Sequence, residues 1–84
     1  MAGNPPRITS EQVRAARGLL RWTQQKLAEE SGVSLPTIKR LEAEAGPVGG
    51  LNMTATTLRR AFEDAGVVFI DANGGGVGVR FRER

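Results

Sequence analysis

Cysteine, histidine and tyrosine are absent from these 84 residues. Without thiols or imidazoles the chain has no disulfides, no thiolate nucleophile, no histidine base and none of the usual zinc or haem ligands. Enzymatic chemistry would rest on Ser, Thr, Lys and nine carboxylates. No constellation of these points to a reaction, so no enzyme, cofactor or metal is expected. Long apolar runs are missing too. Nothing approaches the roughly 18 residues of a bilayer span, and the opening MAGNPPR lacks the apolar centre of a secretion signal. A cytoplasmic protein with no membrane contact is the expectation.

A chain this short makes one domain and buries about 60–65% of its unfolded surface, too little for a deep ligand pocket. No small-molecule ligand is expected. Twelve Lys and Arg against nine Asp and Glu leave a formal charge of +3. That balance suits a polyanionic partner without demanding one.

The apolar pattern is helical at first. Residues 1–7, rich in Gly and Pro, read as a loose arm. Thr9 with Gln12 three positions on forms a capping box ahead of Val13, Ala16 and Leu20, which predicts a helix over 10–21. Gly18 inside it signals fraying near the end or a close packing contact. Thr23 caps a second helix over 24–31, with Leu27 and Ala28 inward, and Gly32 stops it. Trp22, just before that cap, is placed to staple onto Lys26 or Leu27. Ser34 caps a third helix over 35–45. Pro36 falls in its first turn, where a missing N–H has no intrahelical partner, so it starts this helix and does not break it. After Gly46-Pro47 a fourth helix is expected over 55–65, with Leu58, Ala61, Phe62 and Ala65 as its stripe.

From Gly66 the period changes. VVFID and VGVRFR are strand-like runs separated by Ala-Asn-Gly-Gly-Gly, the pattern of a β-hairpin. In the second run Val77, Val79 and Phe81 alternate with Gly78, Arg80 and Arg82, giving an apolar and a cationic face. NGGGVG is no nucleotide loop, because no helix and no Lys-Ser/Thr follow it.

The second and third helices carry the parts of a helix-turn-helix. Ala28 is the small residue at the crossing, Gly32 the turn glycine, and Leu27, Val33, Ile38 and Leu41 the apolar lock. The third helix turns Ser34, Leu35, Pro36, Thr37, Lys39 and Arg40 away from Ile38 and Leu41. Recognition helices reach base edges with their first residues and one further turn. Arg40 is therefore the candidate for a bidentate contact to guanine, and Leu35 and Pro36 are left with apolar contacts such as a thymine methyl. Arg21, Thr23, Ser34, Thr37 and Lys39 are candidates for the phosphate backbone, which fixes position without reading sequence.

With WTQxxLA at Trp22, SGVS at Ser31 and TIxRLE at Thr37, the segment resembles the Cro/C1-type (XRE) helix-turn-helix family of phage repressors and bacterial regulators. The likeness covers residues 8–65. It departs from the family at Leu35 and Pro36, where base-reading positions are frequently polar, and in the C-terminal hairpin. With the strand-like runs read as a hairpin over 67–84, the resemblance implies a mainly α, four-helix, lambda-repressor-like domain over 8–66 ahead of it. It further implies a phosphate contact at Gln24, an ion pair between Arg17 and Glu42, and a double-stranded DNA operator bound by a homodimer. The expected function is a small sequence-specific repressor or autoregulator, with Val77, Val79 and Phe81 as a dimer interface. The competing reading is a protein-interaction regulator, an antitoxin or anti-activator, that keeps the fold to grip a protein partner.

Overall fold

The computed structural model describes residues 7–50 and 52–83, so most of the N-terminal arm lies outside the described residues. Four helices, α1 (Ser10–Leu20), α2 (Gln24–Ser31), α3 (Leu35–Glu42) and α4 (Asn52–Asp64), precede two strands, β1 (Val67–Ile70) and β2 (Gly78–Phe81).

Capping starts the first three helices. Thr9 accepts from the Gln12 amide at 3.0 Å while Gln12 Oε1 accepts from the Thr9 amide at 2.9 Å, completing the capping box. Thr23 and Ser34 accept from Lys26 and Thr37 in the same way. Gly18 packs against nothing: a Cβ there would meet no heavy atom within 4 Å, so its place near the helix end is what tolerates it. α1 ends on Arg21, left-handed at φ 56° and ψ 37°. At Gly32, φ of 78° ends α2 and its N–H returns to the Ala28 carbonyl at 2.9 Å.

Two helix boundaries differ from the sequence expectation by more than one residue. α3 ends at Glu42, three residues short of 45, and side chains of α1 bind its last carbonyls. α4 begins at Asn52, three residues before 55. Its first turn, with Met53 75% exposed, contributes no buried residue before Ala55, so the apolar period starts later than the helix does. Arg7, placed in the arm by its neighbours in sequence, belongs to the folded body. Its guanidinium donates to the carbonyls of Val48 (2.9 Å) and Gly50 (3.1 Å) and to Asn52 Oδ1.

The core gathers one face from each element. Val13 and Ala16 of α1, Leu27 of α2, Ile38 and Leu41 of α3, and Leu58 and Phe62 of α4 are all buried, joined by Ile8, Val48 and Ala55. Phe62 is central: Trp22 stacks on it with centroids 5.8 Å apart, and Phe69 tilts against it at 6.0 Å. Trp22 is thus anchored on α4, where the sequence suggested Lys26 or Leu27, because the third dimension brings a larger ring within reach.

The hairpin pairs antiparallel, Val67 opposite Phe81 and Phe69 opposite Val79, across a connection at 71–77. Buried Val67 and Phe69 mark the inner face, which also carries Val79. Val68, Ile70 and Arg80 alternate onto the outer face. Gln12 fastens the loop end of the hairpin to α1: its Nε2 donates to the carbonyls of Ile70 (3.2 Å) and Gly78 (3.0 Å), which are cross-strand partners.

Candidate nucleic-acid interface

α2, the turn at 32–34 and α3 form the bihelical unit read from the sequence. Leu27, Ile38 and Leu41 lock it with 0%, 0% and 3% exposure, and Ala28 and Val33 pack against the same core. Pro36 stands in the first turn of α3. The unit presents an exposed edge of Thr23, Ser34, Pro36, Lys39 and Arg40, with Gln24, Leu35 and Thr37 half-buried beside them. Arg21, just ahead of α2, is exposed as well.

The far end of α3 is fixed to α1 through charge. Arg17 Nε lies 2.7 Å from Glu42 Oε2 and its Nη2 lies 2.8 Å from Oε1, a bidentate pair. The Glu42 side chain is 4% exposed and that of Arg17 22%. A third guanidinium nitrogen, Nη1, donates to the Trp22 carbonyl at 2.9 Å. The bond to Glu42 raises the Arg17 pKa above the ordinary arginine value, so the cation is held more firmly in the fold. Gln24 Nε2 completes the cluster at 3.1 Å from Glu42 Oε1. Gln24 therefore ties the start of α2 to the end of α3, and its amide keeps a second N–H for another acceptor.

Cations differ sharply in what they touch. Lys26 pairs with Glu30 at 3.1 Å and Arg59 with Glu63 at 3.0 Å. Among the described residues Arg21, Lys39 and Arg40 make no ion pair and no side-chain hydrogen bond, and the same holds for Arg60 on α4. Two of these cations sit together on the exposed side of α3. Thr37 and Ser34 share a hydroxyl contact of 2.9 Å at its start.

The residues named for a dimer do not share one environment. Val79 packs against the core of its own chain, while Val77 lies in the connection, 41% exposed and outside β2. Phe81 is half-buried at the base of the hairpin.

Sequence reasoning missed Ser10, Arg14 and the second role of Gln12. Ser10 Oγ donates to the Leu41 carbonyl at 2.6 Å, and Arg14 Nη1 donates to the carbonyls of Glu42 (2.5 Å) and Glu44 (3.2 Å). With Arg17 they lie at i, i+4 and i+7, one polar stripe of α1 facing the end of α3. That spacing was visible in the sequence. The acceptors were not, because backbone carbonyls leave no mark in residue type.

Among the described residues no group of three or more acidic side chains is placed to hold a metal ion. No helix is long and apolar enough to cross a membrane.

Comparison with protein families matches residues 13–47 to a model described as helix-turn-helix, and no curated protein matches the chain. The matched residues run from Val13 in α1 past the end of α3. They take in Arg17, Gln24 and Glu42 together with the exposed edge of α3. The match supports a DNA-binding regulator. Over this segment, less than half of its length, the chain is similar to the helix-turn-helix family that the model describes.

Proposed function

We propose that the protein is a sequence-specific transcriptional regulator that lays α3 in the major groove of an operator and acts as a small dimeric repressor or autoregulator. One observation carries this reading: α3 holds Lys39 and Arg40 exposed and without protein partners on a helix whose opposite face and far end are locked to the core. A cation without a partner on a rigid support meets a base edge or phosphate with little reorganisation. Arg40 is the base reader, a guanidinium fork for guanine O6 and N7. Arg21, Thr23, Gln24, Ser34, Thr37 and Lys39 contact the backbone, with Gln24 using its remaining N–H at the positive end of α2. Leu35 and Pro36 contribute apolar contact.

For the dimer, the inner face of the hairpin is engaged at Val79, so the outer face and the open strand edges are what a second copy would use. Ile70 and Val77, 39% and 41% exposed, support that placement. The same exposed residues are what favours the second reading, a regulator that grips another protein. Sedimentation of the full chain beside Ile70→Lys separates them. Loss of a dimer with DNA selectivity impaired supports the first, and an undisturbed monomer supports the second. Removing everything after Gly66 is a poor substitute, since it strips buried Val67 and Phe69 from the core.

Fluorescence anisotropy on duplex DNA from the chain's own promoter, at two salt concentrations, tests the function. Phosphate contacts predict a steep loss of affinity with salt.

A further inference from the structure

The carbonyl end of α3 lacks the usual glycine cap. Ala43 stays right-handed at φ −78° and ψ −10°, and its N–H reaches the Lys39 and Arg40 carbonyls at 3.2 and 3.3 Å. Of the carbonyls that follow, Leu41 also accepts from the Glu44 amide at 3.3 Å, while those of Glu42 and Glu44 would face water without donors from elsewhere. Side chains of α1 supply them. Ser10 takes Leu41, and Arg14, on the exposed side of the stripe, takes both Glu42 and Glu44. A guanidinium at this place also opposes the partial negative charge of the helix end.

We propose that Arg14 is a positioning residue for the recognition helix: by binding the Glu42 and Glu44 carbonyls it holds the end of α3 on α1 and fixes the angle at which Lys39 and Arg40 are presented. The proposal rests on the reading of α3 as the DNA-reading helix. Arg14 does not itself touch DNA. Its neighbour on the stripe, Arg17, fixes the same helix through the Glu42 side chain, so the two arginines restrain side chain and backbone of one residue from adjacent turns.

The test compares the full-length parent with Arg14→Met, which keeps an apolar stem, and Arg14→Lys, which keeps a cation. Three quantities are measured: affinity for a duplex selected by the parent from a random pool, affinity for an unrelated duplex, and the salt slope of each. Amide hydrogen exchange at Ala43 and Glu44 is followed in the absence of DNA. Arg14→Met is expected to weaken binding to the selected duplex roughly fivefold, the loss of about one net hydrogen bond. Binding to the unrelated duplex and both salt slopes stay as they were, the two amides exchange faster, and Arg14→Lys recovers most of the loss. A salt slope reduced by about one, with both duplexes weakened alike, would make Arg14 a phosphate contact and overturn the proposal. Unchanged affinity and exchange would overturn it as well. If the parent selects no duplex, the DNA-reading function fails by itself. Exchange at Ala43 and Glu44 then still decides whether Arg14 holds α3, unchanged rates being the contrary result.

Discussion

Arg17 and Glu42 close two parallel hydrogen bonds, 2.7 and 2.8 Å long, between the first helix and the last turn of α3. Glu42 is nearly buried, so this pair cannot be halved cheaply. Arg17→Met strands a carboxylate that retains only the Gln24 amide, and should lower stability by about 3 kcal/mol in denaturant unfolding. Exchanging both residues for methionine should recover much of that loss while leaving α3 less firmly oriented. Equal destabilisation by the single and double variants would show that packing, not the charge pair, is what the site contributes.

Glu11 gives the fold a dependence on acid. Its carboxylate accepts from the Gly46 amide at 3.0 and 3.3 Å, and bonds to its own and the Gly46 backbone N–H hold its pKa below the ordinary glutamate value. A carboxylate with a lowered folded pKa stabilises the native state above its unfolded pKa of about 4.3, and that contribution disappears as pH falls through the lowered value. The stability gap between the parent and Glu11→Gln should therefore be constant above about pH 5.5 and close progressively below about pH 4.3. Urea midpoints for the two proteins across that range provide the check. A gap that widens in acid would have the wrong sign.

Arg21 occupies a left-handed conformation that glycine adopts more readily. In Arg21→Gly the relief of that geometry and the added freedom of the unfolded chain nearly cancel, leaving stability within about 0.5 kcal/mol of the parent. DNA affinity should nonetheless fall, since an exposed cation without a partner is lost beside α2. Thermal unfolding and anisotropy on the same samples separate the two effects. A stability loss well beyond that range would mean the side chain has a structural role.

Gln12 holds the hairpin with one nitrogen and the helix start with one oxygen. Gln12→Glu retains the acceptor for the Thr9 amide and sets a carboxylate against the Ile70 and Gly78 carbonyls. A loss of about 1–3 kcal/mol is expected, with the hairpin amides exchanging before those of α1. Simultaneous exchange of both would indicate that the hairpin opens only with the whole domain.

Much of this architecture was legible in the residues. Thr9, Thr23 and Ser34 announce helix starts, Gly32 the turn, and Leu27, Ile38 and Leu41 the lock, because capping and periodicity are local properties. The partners of Trp22, Arg7 and Arg14 were not legible: an aromatic ring on α4 and carbonyls in distant segments are chosen by tertiary proximity alone. Val77 was misplaced for a related reason. Its alternation with Val79 fits a strand, yet pairing stops at Gly78 opposite Ile70, and the connection takes up the rest. At the candidate interface residue type identified which side chains are polar. Only the structure shows that Lys26 is paired while Lys39 and Arg40 have no ion-pair partner among the described residues.

DNA reading by α3 is tested most directly by Arg40→Ala, titrated by anisotropy against the promoter duplex and an unrelated duplex of equal length. If Arg40 forks onto a base, selectivity falls by about 1–3 kcal/mol, most of it from the promoter duplex, with the fold intact by circular dichroism. A variant that binds as tightly and as selectively as the parent would contradict that role for α3.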